Sequence, residues 1–411
     1  MTENNNVPSW IEAHLFEKVL RDTVPNFKGI KNFKAFNALP PGENYATVML
    51  KIQIEVELND GSSLTETLMM KVPHDSELYR SEMSKWQMFT IEALTYKEIV
   101  REFEQMYADV GLEIKLSPQS YQLPIDKEYI LLEDLKKQGF RNTKRQDGLD
   151  MEHCKKVLKK LAQWHAASAV RIERQGPYPE QYVRGLTNRD GFDLLRTVML
   201  TCAKNAAKSA KTLPGHKLYL EKMEKLGEIF TENFFKKTAV DPNEFNVLNH
   251  GDCWSNNIMF QYDDKDQLRE CYFVDLQIPR YGSVAQDVTY FLMTSAKLEV
   301  KVNRFDELIR YYHSNLKEHL QLLNYSKTIP SLGDIHRVLI NNAGTWGAFA
   351  MWNVLPAVLA PPSKDANVEN LISDSEESDK FKELIYLNDN IRKHYELVFP
   401  WLYHRGAFDL E

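Results

Sequence analysis

The residues best placed to do chemistry in this 411-residue chain lie between Val247 and Phe260. There His250-Gly251-Asp252 is followed by Asn257, five positions after the Asp. Apolar runs flank the motif on both sides, so it reads as a loop between buried segments. A carboxylate and an amide at that spacing suit phosphoryl transfer. The Asp accepts the proton of an attacking hydroxyl, and the Asn ligates Mg²⁺ carried on nucleotide phosphates. Eighteen residues past Asn257, the apolar run Tyr272-Phe273-Val274 ends in Asp275. An acidic side chain at the end of such a strand has no use in a core and needs solvent, a metal or a partner. Beside Asp252 and Asn257 we read Asp275 as a second metal ligand. Mg²⁺ takes few protein oxygens and keeps phosphate and water for the rest, so these two suffice as anchors. The plainer alternative, a polar turn whose Asp and Asn satisfy backbone groups, leaves the second Asp unexplained.

A nucleotide-using enzyme of this kind needs a lysine on its phosphates and a glutamate to orient that lysine. Lys71, in Leu68-Met69-Met70-Lys71-Val72, and Glu92, on the inward face of a following helix, are the candidates. Either alone reads as an ordinary strand lysine or rim glutamate; the pairing is what argues for function. Gly42-Glu43-Asn44-Tyr45 precedes the first long strand, where backbone amides can meet phosphate oxygens. It has one glycine and is no Gly-x-Gly-x-x-Gly, and no P-loop sequence occurs anywhere. Glu133-Asp134-Leu135 follows the last strand of the N-terminal part, where a hinge backbone would take the adenine edge. Asp287 opens a later helix and reads either as its N-terminal cap or as a brace for the loop at 250–252.

The elements that must hold these residues follow from periodicity. Val48, Leu50, Ile52, Ile54, Val56 and Leu58 alternate with polar residues and predict a half-buried strand, which Asn59-Asp60-Gly61 turns into a partner at 64–72. The spacing at 81–103 shifts to three and four and predicts an amphipathic helix. Segments 121–123 and 128–135 predict another hairpin. An opening helix over 9–22 is expected with Ser9 as its cap. Beyond residue 136 the chain reads as mostly helical, at 152–170, 190–212, 216–236, 284–297, 303–323, 334–355 and 379–398, with a hairpin at 258–275. The acidic run Ser373 to Asp379 is expected as a solvated loop. The expected architecture is α+β and two-lobed. A small antiparallel β lobe with one inserted helix occupies residues 1–135, a larger mainly helical lobe residues 136–411, and a cleft lies between them.

Bulk composition fits an enzyme of small molecules. Hydrophobic content of 43% with 27% charged residues is ordinary for a globular protein, and a net charge of −7 argues against a broad nucleic-acid surface. Four cysteines have neither zinc spacing nor the density of a disulfide scaffold. The first residues lack the regions of a secretory signal, and the most apolar run, 348–361, is too short to span a bilayer. A cytoplasmic location without a membrane span is the expectation.

Together these residues resemble the ecdysteroid-kinase-like (CHK kinase-like) family, within the aminoglycoside phosphotransferase and choline kinase branch of the protein-kinase-like fold. The resemblance runs from Gly42-Glu43-Asn44-Tyr45 through Lys71, Glu92, Leu132-Glu133-Asp134-Leu135, Trp164-His165-Ala166, His250-Gly251-Asp252 to Asn257 and Asp275-Leu276-Gln277, as far as His404-Arg405-Gly406-Ala407-Phe408-Asp409. Cys253 and Leu276 depart from the family's usual residues without removing a catalytic group. An Ala-Pro-Glu segment is absent, which argues against a protein kinase. The resemblance implies ATP and Mg²⁺ as cofactors. It makes Asp252 the base, Asn257 and Asp275 the metal ligands, Lys71 the phosphate lysine with Glu92 beside it, and a steroid or xenobiotic hydroxyl the acceptor. Trp346, Phe349, Met351 and Trp352 are candidates to line an apolar acceptor pocket, though a buried core helix is the plainer reading for most of them. The alternatives are a non-catalytic binder of lipophilic hormones and a choline- or aminoglycoside-type kinase.

Overall fold

The computed structural model describes residues 7–38, 47–73, 87–184, 192–363 and 368–410. Helices and antiparallel sheets coexist, as the α+β expectation requires. The chain forms two compact units: residues 1–101 with 117–140, and residues 102–116 with 141–411.

The smaller unit is built on a five-stranded sheet of β1 (Phe27–Asn37), β2 (Thr47–Leu58), β3 (Ser63–Pro73), β4 (Ser120–Tyr121) and β5 (Ile130–Glu133), in spatial order β1-β2-β3-β5-β4. Alternation along β2 and β3 sends Leu50, Ile52, Ile54, Val56, Leu68, Met70 and Val72 to one face, where Leu15, Phe16, Val19 and Leu20 of the N-terminal helical turns cover them. Lys71 therefore points to the opposite face. β1 escaped the sequence reading because two register shifts, at Phe27/Gly29 and Ile30/Asn32, break its alternation. The opening helix also differs. It starts as a 3₁₀ turn at Ala13–Phe16, continues as Glu17–Thr23, and takes no cap from Ser9; its first position, Glu12, makes no side-chain cap bond. Between β3 and β4 the helical segment runs Met88–Leu94, a π turn Thr95–Val100, then Arg101–Ala108. The boundary between the units falls within that last helix and again within β6 (Phe140–Arg141).

In the larger unit the long helix Met151–Gln175, capped by Asp150, packs along Phe305–Leu322. On it rests a ribbon of β7 (Asn246–Asn249) with β10 (Arg280–Ser283), and β8 (Ile258–Tyr262) pairs with β9 (Leu268–Phe273). Two anchors fix β7 to the helix: Trp164 Nε1 donates to the Leu248 carbonyl at 2.7 Å, and Leu248 N–H donates to Ser168 Oγ at 2.6 Å. Towards the C-terminus three expectations change. The acidic run is no free loop, because Ser375 caps the helix Glu376–Tyr386 and the acidic residues fill its first turn, where the helix dipole favours them. A second helix, Asp389–Tyr403, starts at its own Asn388 cap. The helix expected at 334–355 becomes Leu332–Asn341 followed by π turns at Ala343–Gly347 and Ala350–Val354. Gly344 lies so close to the Ala407 carbonyl that a Cβ there would stand 2.6 Å from its oxygen.

Candidate active site

The loop at 249–257 is positioned from its backbone outwards. Gly251 adopts φ +88°, and a Cβ on it would lie 2.0 Å from the Ile278 carbonyl oxygen, so glycine alone fits. Asp287, fully buried, accepts from His250 N–H at 2.6 Å and Gly251 N–H at 3.0 Å. The cap of its own helix, Ala285–Ser295, falls to Val284 without a side-chain bond, so of the two readings of Asp287 the brace is the one realised. Asp287 is itself steadied. Its N–H donates to Asn249 Oδ1 at 3.2 Å, and its carboxylate meets His165 Nε2 at 3.1 Å. The other ring nitrogen of His165 lies 2.7 Å from Tyr312 Oη. A carboxylate needs a donor, so His165 carries its proton on Nε2 and accepts from Tyr312 on Nδ1. His250 has the same tautomer for a local reason: its Nδ1 accepts from Asp252 N–H at 3.3 Å and its Nε2 donates to the Val274 carbonyl at 3.1 Å.

On this frame Asp252 stands half-buried, with each carboxylate oxygen held. Oδ1 accepts from Tyr290 Oη at 2.5 Å and Oδ2 from Asn257 Nδ2 at 2.9 Å. Desolvation by the surrounding protein raises its pKa above the usual aspartate value, and the Asp275 charge adds to that. The bonds from Tyr290 and Asn257 act the other way. A carboxylate with a raised pKa is a stronger proton acceptor than a solvated one.

Asn257 also donates from Nδ2 to the Asp252 carbonyl at 3.0 Å. With the amide nitrogen committed twice to Asp252, the amide orientation is fixed and its oxygen is the atom available to a cation. Val274 N–H donates to the Asn257 carbonyl at 3.0 Å, and Ile258 pairs with Phe273. These bonds bring Asn257 and Asp275 to the same end of the β8–β9 hairpin. Asp275 itself adopts φ +62°, a left-handed conformation uncommon outside glycine. One amide oxygen and one carboxylate are a hard donor set that suits Mg²⁺ held jointly with phosphate oxygens. Among the described residues no three His, Cys, Asp or Glu side chains gather into a metal cage.

In the smaller unit Lys71 Nζ lies 2.6 Å from Glu92 Oε2, with the residues 7% and 2% exposed. The spacing that singled out these two residues thus does bring them together. Glu133 and Asp134 have their side chains engaged. Glu133 Oε1 accepts from Gln119 N–H at 2.8 Å, while Asp134 pairs with Lys51 at 2.9 Å and accepts from Thr67 at 2.8 Å. Those bonds to Lys51 and Thr67 outweigh burial and lower the Asp134 pKa. The main chain there is partly engaged too, since Glu133 N–H donates to Gln119 and the Asp134 carbonyl accepts from Lys137. Leu135 is buried at the start of a 3₁₀ turn that Asp134 caps. Gly42, Glu43 and Asn44 lie outside the described residues.

A family model for the ecdysteroid kinase-like family matches residues 41–325. The chain belongs to the ecdysteroid kinase-like family. The matched span takes in Lys71, Glu92, Asp252, Asn257, Asp275, Asp287 and Tyr290, and it makes the fold kinase-like. No curated protein matches the chain. Among the described residues of this ecdysteroid kinase-like chain, no helix is long and apolar enough to cross a membrane.

One contributor to the site escaped the sequence reading. Tyr290 lies three residues past Asp287, one helical turn on, inside an apolar stretch that reads as core. For His165 and Ser168 the helical spacing showed where they lie on their amphipathic helix but not what they bond. Of the four aromatic and Met candidates for an acceptor pocket, Trp346, Met351 and Trp352 are buried in the core. Phe349 is half-buried, stacked on Phe234 at 5.0 Å and on Tyr290 at 6.1 Å. The four cysteines are free and buried, and burial raises the Cys253 thiol pKa well above its ordinary value.

Proposed function

We propose that the chain is an ATP-dependent phosphotransferase that acts on a hydroxyl of a small molecule. The observation that carries this reading is Asp252: a half-buried carboxylate oriented on both oxygens, on a loop braced by Asp287, with the Asn257 amide turned to offer its oxygen. In this reading Asp252 takes the proton of the acceptor hydroxyl. Asn257 and Asp275 would hold Mg²⁺, which when bound offsets phosphate charge. Lys71, kept in place by Glu92, would hold nucleotide phosphates, and Gly42 to Asn44 would contribute backbone amides. Adenine recognition falls to the main chain around Glu133, Asp134 and Leu135, since the two acidic side chains serve their own neighbours.

The acceptor we infer is a lipophilic alcohol, an ecdysteroid or a xenobiotic. The family supports a small-molecule substrate, and the half-buried Phe349 ring stacked on Tyr290 supplies an apolar surface one side chain away from Asp252. The test is incubation of purified protein with Mg²⁺-ATP and panels of steroid alcohols, phenols, hydroxy acids and choline, with products identified by mass. A phosphate ester that disappears in Asp252→Asn supports the assignment. Undiminished product from Asp252→Asn, or none from any alcohol despite nucleotide binding, refutes it.

A further inference from the structure

Five lysines and arginines are buried among the described residues: Lys71, Lys160, Arg280, Lys301 and Lys382. Four have an acceptor. Lys71 has Glu92, Lys160 the Lys115 carbonyl, Lys301 the Met293 carbonyl and Lys382 the Ser373 carbonyl. Arg280 is 7% exposed, its Nε is enclosed without an acceptor, and no described carboxylate pairs with it. Burial lowers its pKa to about 10, and no neighbouring charge offsets that. At neutral pH it stays a cation. Enclosing an unpaired guanidinium is costly to a fold, so an unpartnered one points to a ligand that completes it.

Its place is informative. Arg280 opens β10 and pairs with Asn249, the residue before the His250-Gly251-Asp252 loop, and it lies five residues beyond Asp275. The side chain folds along its own strand: a Cβ on Gly282 would lie 3.4 Å from Nη1.

We propose that Arg280 forms an oxyanion subsite of the larger unit, which takes a carboxylate, sulfate or phosphate-ester group that the phosphoryl acceptor carries away from its reacting hydroxyl. The planar fork of donors matches such groups bidentately. The proposal rests on the phosphotransferase reading and narrows its acceptors, within the lipophilic alcohols, from uncharged steroids to xenobiotic or steroid molecules that already bear an anionic group.

The first test uses the full chain and sulfate at constant ionic strength, read as thermal stability. Wild type is expected to gain about 2 °C once sulfate exceeds its Kd roughly tenfold. Arg280→Gln is expected to lose that gain, and Arg280→Lys to keep part of it. Without anion, Arg280→Met is expected to be at least as stable as wild type, because removing an uncompensated cation relieves its burial. An equal sulfate response in wild type and Arg280→Gln overturns the subsite, as does no response in wild type or a clear loss of stability in Arg280→Met. The second test compares a hydroxy acid with its methyl ester as acceptor under Mg²⁺-ATP. A preference for the acid of about tenfold in kcat/KM, abolished in Arg280→Gln, supports the acceptor assignment. A sulfate response without that preference overturns it. If Mg²⁺-ATP stabilises no variant while sulfate does, the phosphotransferase reading falls and the anion site stands.

Discussion

Lys71 and Asp252 are both charged groups held out of bulk water, and they are held in opposite ways. Lys71 faces a full counter-charge at 2.6 Å. Asp252 forms no ion pair among the described residues; neutral donors from Tyr290 and Asn257 fix its two oxygens, and of the charges near it Asp275 raises its pKa while His250 acts the other way. An ion pair fixes a position and quenches reactivity. Neutral donors fix a position and leave the carboxylate basic. That contrast is what a lysine meant to hold phosphate and an aspartate meant to take a proton would each require.

The comparison breaks most visibly at Asp252. Asp252→Asn is expected to lower kcat by about a thousandfold with folding intact, measured as turnover beside the thermal transition. Retained turnover would remove the base from the reading.

Next comes the backbone beneath it. Gly251→Ala forces a Cβ against the Ile278 carbonyl at a left-handed φ, so a loss of stability of about 3 kcal/mol or more is expected from chemical denaturation. No comparable effect is expected from alanine at Gly61, which has a similar φ but open space around it.

In the smaller unit, Glu92→Leu should remove the counter-charge of the buried Lys71 and cost about 3 kcal/mol. Lys71→Met with Glu92→Leu should recover most of that stability and none of the activity. Recovery of activity in the double variant would assign the pair to structure alone.

The smallest effect sharpens the contrast. Tyr290→Phe should lower kcat about tenfold while leaving the ATP KM unchanged. The sign of its pH effect follows from the site. The Tyr290 bond lowers the Asp252 pKa, so its removal raises that pKa further, and the acidic limb of the pH–rate profile should move to higher pH. A shift to lower pH would mean that Tyr290 does not act on the carboxylate.

Much of the site was legible in the sequence because its chemistry is local in the chain. Asp252 and Asn257 are five residues apart, and Asp275 lies two residues past the strand that pairs back on Ile258. Lys71 and Glu92 were legible through two different periods, one placing the lysine off the core face of a strand and the other placing the glutamate on the inner face of a helix. Strand β1 was not legible, because register shifts erased its alternation. The free loop expected at 373–379 failed because a serine cap followed by acids at a helix start reads, in composition alone, like a solvated acidic run.

The sequence by itself determined residue types, spacings and periodicities, and from these the family, the mixed helix-and-sheet class and the identity of the charged groups. Only the tertiary structure decided their partners. Asp287 braces the loop and does not cap its helix because two N–H groups from 37 and 36 residues away point at it. Tyr290, buried in the core, turns its hydroxyl to Asp252, and the Arg280 Nε is enclosed with no acceptor among the described residues. Hydrogen bonds between residues distant in the chain depend on how helices and strands pack, and packing is a property of the whole fold that no local spacing encodes.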